Sequence, residues 1–349
     1  MEVFITHRSA LQYWRTNRKN RDVLKRRQRG RKAPSTPPKD SIPLHAIASR
    51  LSLPLDVTVS AANARRASRL FRPRFFAGVM PDRCLVSVKN EIIVASPELC
   101  FFQMASELPL AKLIELGYEL CGSYALPSGC AVDKGSTVVD GSYDMDNKSA
   151  YNLEPLTNKK RLTALVSQMT GKHGKNKALR ALRYIAEGSA SPMETILAIL
   201  LVLPNYLGGY GFALPEMNKR IDLKAIKSGT LAMPITSDGS IKLTKPALAG
   251  NPGNNFYKCD LYWKGSDVAA EYDSDLHHSG GEKISADSIR RSDLALRGIE
   301  VVPVTNMQMR SAEEFDKVAR LIALKMGRRI QIRDADFTIK RGTLRNLLL

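Results

Sequence analysis

The chain is poor in acid. Its 349 residues carry 34 Asp and Glu against 53 Lys and Arg, a formal charge of +19. Cysteine is scarce as well: Cys84, Cys100, Cys121, Cys130 and Cys259 include no C-x-x-C pair, and an odd number in a chain this long makes no disulfide framework. Long apolar runs are missing, since the longest, Ile196 to Leu203, stops at Pro204, far short of the ~20 residues of a membrane span. The head of the chain is charged throughout and lacks the apolar centre of a signal peptide. With 44% hydrophobic residues the composition also excludes a disordered or collagenous chain. The expectation is a soluble cytoplasmic protein with no membrane partner, and the positive surplus makes nucleic acid the expected partner.

At ~100 to 200 residues per domain the length predicts two domains, or one extended domain. Residues 1–40 crowd Arg15, Arg18, Lys19, Arg21, Lys25 and further cations ahead of a Pro-rich stretch, which reads as a basic arm and linker. Tyr13 and Trp14 precede the charge run, where they either stack on bases or anchor a short helix. Residues 41–152 mix strand-like pieces (Leu55 to Val59, Cys84 to Val88, Glu91 to Ala95) with a helix capped by Ser96 and Pro97 and a second helix over Pro109 to Cys121. Residues 153–188 read as a basic helical connector broken at Gly171 to Gly174, either a nucleic-acid-facing loop or a solvated turn.

A further domain is predicted over 189–330, leaving 331–349 as a tail without an assigned role. It opens with Ser191 as N-cap and Pro192 at the first helical position, which places Glu194 near a helix N-terminus. Two strand-like runs, Phe256 to Trp263 and Val268 to Tyr272, are joined by Lys264-Gly-Ser-Asp267 as a hairpin turn. A helix over Ile284 to Arg297 ends at Gly298, a strand follows over Ile299 to Val304, and Ser311 with Glu314 starts a final long helix. Helices alternating with a hairpin and a strand make the fold class α/β (α+β).

Asp260 lies on the first hairpin strand, and Glu271 with Asp273 lies at the end of the second, so a tight turn brings the three carboxylates to one edge. Like charges at that range raise one another's pKa, and a hard divalent cation with oxygen ligands relieves them. Mg²⁺ or Mn²⁺ is the implied cofactor, and zinc fits less well because oxygens outnumber nitrogens and Cys259 alternates to the other face from Asp260. A carboxylate in the apolar run Val268-Ala-Ala-Glu271 is costly to bury without a job. Asp260, by contrast, also reads as an exposed strand position, Asp273 as part of a polar turn, and His277 and His278 as surface residues. Arg290 has Asp287 three residues earlier as an alternative partner, and Arg291 follows it.

The run Cys259-Asp-Leu-Tyr-Trp263, Ala270-Glu-Tyr-Asp273, His277, then Asp287, Arg290, Leu294, Gly298 and Val301 resembles the very-short-patch-repair-like endonucleases of the PD-(D/E)XK superfamily, over about residues 189–326. The resemblance implies a mixed sheet flanked by helices and a metal-dependent DNA endonuclease, acting in bacterial defence or DNA repair. It implies that Asp260 and Glu271 ligate Mg²⁺, that Glu194 supports the metal, and that Asp273 stands where the superfamily usually has Lys. His277 would position water or move a proton with His278 as its substitute, Arg290 would hold the phosphate, and Gln308 would orient the site. Val94 to Ala105 together with Leu113 to Gly122 resembles the AbiEi-type antitoxins of abortive-infection systems, over about residues 41–150. That likeness implies DNA binding and a toxin or defence protein as partner. The alternative function is therefore a non-catalytic DNA-binding regulator or antitoxin.

Overall fold

Val3, Phe4 and Ile5 are fully or almost fully buried, because β1 (Val3–Ile5) is the middle strand of a five-stranded sheet. The structure, a computed structural model, describes residues 2–38, 51–64, 68–89, 91–128, 149–222, 256–273 and 281–349, with the backbone alone at 89 and 281–287. The fold is mixed α/β, in two units: residues 1–214 with 331–349, and residues 215–330.

In the first unit β1 runs parallel to β5 (Ile92–Ala95) and antiparallel to β2 (Leu55–Val59). β3 (Phe71–Phe75) lies parallel to β2, and β4 (Leu85–Lys89) antiparallel to β5. Every residue of β2 and β5 is buried; β5 accordingly reads as an apolar run, while β2 also buries Asp56 and Thr58. Helix α1 (His7–Thr16) buries Ala10, Leu11, Tyr13 and Trp14 against the sheet and α2 (Pro97–Met104). Ser96 caps α2 as expected, accepting the Leu99 amide at 3.3 Å, and α3 (Leu110–Cys121) follows.

The expected basic arm over 1–40 is therefore corrected: in its described part, residues 2–38 supply the middle strand of the sheet and helix α1. Several of its cations are held by groups elsewhere in the fold. Arg15 forms two bonds to the Glu119 carboxylate at 2.8 and 2.7 Å, and Arg27 two to Glu98 at 2.8 and 2.9 Å. Arg18 donates to the carbonyls of Glu119 and Gly122 at the end of α3, while Arg21 pairs with Glu154 and Arg31 with Glu2. Tyr13 and Trp14 are 3% and 1% exposed, packed edge to face, and the Trp14 indole donates to the Ala95 carbonyl at 2.8 Å, so neither stacks on bases.

The predicted connector and the unassigned tail also belong to this unit. Helices α4 (Lys159–Gln168) and α5 (Lys175–Leu182) form a hairpin through the turn at Gly171 to Gly174. Helix α6 (Pro192–Val202), which the sequence assigned to the domain after 189, packs on α3 here. The C-terminal helix α10 (Phe337–Leu348) returns to pack on α3, α6 and the turn Asn205–Leu207.

His7 opens α1 in the left-handed region, φ 50°, with its amide on the Gln103 side chain at 3.0 Å and the Cys100 thiol on its carbonyl at 3.5 Å. Burial, and then the Arg74 charge, push its pKa down to about 3. Below pH 6.5 the unfolded chain takes up a proton that the folded His7 refuses, so stability falls as pH drops. Between pH 7 and 5, above the carboxylate range, the loss attributable to His7 is about 2 kcal/mol. Urea midpoints at the two pH values measure it. His7→Asn, which tolerates the left-handed backbone and does not titrate, is expected to flatten that difference.

The second unit is a meander with a crossover. β6 (Glu216–Asp222), β7 (Phe256–Trp263) and β8 (Val268–Asp273) are successive antiparallel neighbours. Helix α7 (Gly281–Ala295) then leads to β9 (Glu300–Thr305), parallel to β8. The hairpin turn falls at Lys264 to Asp267 as expected, with the Tyr262 hydroxyl donating to the Asp267 carboxylate at 2.5 Å. β8 is an inner strand, which accounts for its buried Val268-Ala-Ala270 run. Gly298, φ 76°, supplies the left-handed turn between α7 and β9. Helices α8 (Asn306–Arg310) and α9 (Ala312–Lys325) complete the mixed sheet flanked by helices.

Candidate active site

The carboxylates of Asp260 and Glu271 belong to neighbouring strands of the second unit. The register Leu261↔Ala270, Tyr262↔Ala269 and Trp263↔Val268, carried one step further, sets Asp260 across from Glu271. The paired residues end at Leu261 and Ala270. Asp260 Oδ2 accepts the backbone amide of Tyr272 at 2.9 Å, so its carboxylate is held beside the peptide that follows Glu271. On the other side of Asp260, Asn218 of β6 takes a left-handed φ of 49° between the paired Met217 and Lys219. Cys259 and Tyr262 share one buried cluster although strict alternation over three residues would separate them. Such local irregularities re-aim side chains on a strand.

Arg290, from α7, closes the arrangement. Its Nη2 donates to Glu271 Oε1 at 2.5 Å and to the Lys258 carbonyl on β7, and its guanidinium carbon stands 5.7 Å from the centre of the Tyr257 ring. Arg290, which the resemblance has holding a phosphate, is placed here on Glu271, whereas the alternative pairing with Asp287 falls on a side chain outside the described ones. Tyr257 in turn donates to Asp293 Oδ2 at 3.0 Å, one turn beyond Arg290 on α7. Neither Tyr257 nor Asp293 was singled out from sequence. Their signal was available as Tyr257 three residues before Asp260 and Asp293 three residues after Arg290. Burial and then the Glu271 charge push the Cys259 thiol up to about 12, so it remains a neutral thiol at ordinary pH.

The other expected site residues are distributed differently. Glu194 belongs to the first unit, where it completes the start of α6: Ser191 Oγ accepts the Glu194 amide at 3.2 Å and Glu194 Oε2 accepts the Ala190 amide at 2.9 Å. Ser191 is thus the N-cap and Glu194 ties down the amide of the residue before it, a structural task at the helix start, where the resemblance implied support of a metal. Gln308 has the same task, with Oε1 accepting the Thr305 amide at 2.9 Å and Thr305 Oγ1 accepting the Gln308 amide at 3.2 Å. Asp273 ends β8 opposite Thr305 of β9. Arg291 is exposed on α7. His277 and His278 lie outside the described residues.

Among the described residues no three His, Cys, Asp or Glu side chains gather into a metal-binding group, so the expected three-carboxylate cluster is not assembled by them. Asp260 and Glu271 supply hard oxygen donors, the chemistry that suits Mg²⁺ or Mn²⁺, and the Arg290 guanidinium is the cation that Glu271 holds. No helix of the described chain is long and apolar enough to cross a membrane. Compared with family models, curated proteins and solved structures, the chain finds no match.

Proposed function

We propose that the second unit is a metal-dependent phosphodiesterase acting on nucleic acid, DNA first, as the resemblance to very-short-patch-repair-like endonucleases implies. The observation that carries this reading is the placement of Asp260 on the Tyr272 amide, next to Glu271, with Arg290 reaching Glu271 from α7. Two carboxylates facing a phosphate would repel it, and a basic chain that binds nucleic acid for its charge alone gains nothing from placing them there. Asp260 and Glu271 would hold Mg²⁺ or Mn²⁺. The ion supplies Lewis-acid chemistry, lowering the pKa of a water and offsetting charge that builds on the phosphate. Arg290, a planar donor already reaching across from α7, binds a phosphate oxygen when it leaves Glu271. A role in bacterial defence or DNA repair follows from the same resemblance.

One observation favours a second reading. Glu194 and Gln308 are spent on helix caps and Glu271 is neutralised by Arg290, which is a self-sufficient arrangement for a non-catalytic DNA-binding regulator or antitoxin, with a toxin or defence protein as partner. Incubation of the purified chain with plasmid and single-stranded DNA in Mg²⁺, Mn²⁺ or EDTA separates the two. Cutting that needs the metal and disappears in folded Asp260→Ala and Glu271→Ala supports the phosphodiesterase. Tight DNA binding with no cutting in any metal supports the regulator.

A further inference from the structure

The α4–α5 hairpin of the first unit concentrates cations. Between 158 and 187 the chain has eight Lys and Arg and a single acid, Glu187. Four of the eight are committed to the fold: Lys159 donates to the Ile185 carbonyl at 2.9 Å, Lys172 to Ala77 at 2.5 Å, Lys175 to Ser167 at 2.9 Å and Lys177 to Leu108 at 3.1 Å. The other four, Lys160, Arg161, Arg180 and Arg183, are exposed, and none has a carboxylate partner among the described residues. The contacts of Lys159 with Ile185 and, through its amide, with Glu187 at 2.5 Å join the first turn of α4 to the end of α5. These cations are therefore gathered at one end of the hairpin.

An aromatic pair stands at the same end. Tyr206 is 52% exposed, unusual for so large a ring, with the Arg180 guanidinium carbon 5.7 Å from the ring centre and its hydroxyl 3.5 Å from that of Tyr184. The hydrogen bond with Tyr184, and the nearby Arg180 and Arg183 charges, hold the Tyr206 hydroxyl below its ordinary pKa. The turn that carries it is fixed: Gly208, φ 88°, ends the turn against α10, and a Cβ there would collide with the Lys340 carbonyl. A rigid exposed ring among unpaired cations is the arrangement on which bases of a single strand stack while phosphates are neutralised alongside. Duplex bases, already stacked and paired, do not reach such a ring.

We propose that Tyr206, Tyr184, Arg180 and Arg183, flanked by Lys160 and Arg161, form a contact site for single-stranded nucleic acid, with a base on Tyr206 and phosphates on the guanidinium and ammonium groups. The site is independent of the carboxylates in the second unit, so it is read in EDTA, where the phosphodiesterase is silent. Fluorescence anisotropy of the full chain with labelled oligo-dT of about 20 nucleotides, and with a duplex of the same length, measures it over about 50 to 300 mM salt. Tyr206→Ala is expected to weaken oligo-dT binding by roughly 5- to 150-fold and Tyr206→Phe to retain it, with the duplex unaffected by either. Arg180→Ala and Arg183→Ala are each expected to lower the salt slope for oligo-dT by about 0.7. Because all these side chains are exposed or half-exposed, circular dichroism should show an unchanged fold. Unchanged oligo-dT binding in Tyr206→Ala overturns the stacking site, and an unchanged salt slope in both arginine variants overturns the phosphate contacts. Binding that needs the arginines alone, equally for duplex and single strand, or that appears only with an acidic protein, also overturns the proposal.

Discussion

Deleting residues 2–16 is expected to leave the first unit unfolded. The deletion removes β1, which joins β2 and β3 on one side to β5 and β4 on the other, and α1, whose Trp14 is 1% exposed and hydrogen-bonded to Ala95. A smaller change isolates the same effect: Trp14→Ala loses a large buried ring and orphans the Ala95 carbonyl, at a cost of about 3 to 5 kcal/mol. That is a large share of the ~5 to 15 kcal/mol by which domains are stable. Lys25→Ala is the control, since Lys25 is 82% exposed in a surface pair with Asp22, and such changes usually stay within about 0.5 kcal/mol. Urea unfolding followed by far-ultraviolet circular dichroism reads all three variants. A flexible basic arm would give the opposite result, with truncation and Trp14→Ala as silent as Lys25→Ala.

The same residues show why the head of the chain was misread. A block of cations signals a solvated tail only when no acid lies within reach, and reach along the sequence is all that a linear reading sees. Glu98 and Glu119, the partners of Arg27 and Arg15, stand 71 and 104 residues away. Although burial alone raises the Glu98 carboxyl, Arg27 and the hydrogen bonds of Thr157 and Ser96 hold it below the usual carboxylate range. Local signals fared better. The caps at Ser96, Ser191 and Ser311 and the turn at Lys264 to Asp267 are written in adjacent residues and occur where expected.

The site was legible to the extent that it is local. A hairpin turn of known length brings the ends of its two strands together, which is why Asp260, Glu271 and Asp273 were expected at one edge. Glu194 was open to misassignment because Ser-x-x-Glu satisfies two descriptions: a carboxylate at a helix start is both a candidate ligand and the second half of a capping box. The observed bond meets neither description fully: Ser191 caps the helix and the Glu194 carboxylate takes the Ala190 amide, one residue before the cap. At Thr305 and Gln308 the same spacing forms the full capping box. Arg290 was recognised as a site residue, but its cross-strand contacts with Lys258 and Glu271 depend on how α7 packs on the sheet, which no spacing along the helix encodes.

Glu271→Gln is expected to reduce Mg²⁺-supported cleavage by about 10³-fold or more, the consequence of losing several kcal/mol of charge stabilisation at the phosphate. Arg290→Ala then divides the work of the pair. In the folded protein Arg290 satisfies Glu271 with a charge-assisted bond at 2.5 Å between side chains only 27% and 14% exposed, and such bonds contribute about 1.5 to 3 kcal/mol. A divalent cation that uses Glu271 must displace that guanidinium, so Arg290 weakens cation binding by the same free energy that it gives the metal-free fold. Without Arg290, the Glu271 carboxylate loses that guanidinium, and a neighbouring Asp260 charge then raises its pKa. The metal-free Arg290→Ala variant should therefore melt earlier than wild type, and the Mg²⁺ concentration that gives half-maximal thermal stabilisation should fall roughly 10- to 100-fold. Cleavage in that variant should stay low even at saturating Mg²⁺, because the phosphate has lost its planar donor. Glu271→Gln should show no Mg²⁺-dependent rise in melting temperature at all. A half-maximal Mg²⁺ concentration that is unchanged or higher in Arg290→Ala would show that the cation and the guanidinium do not share Glu271, and would leave the carboxylate as the structural partner of an arginine that ties α7 to the hairpin.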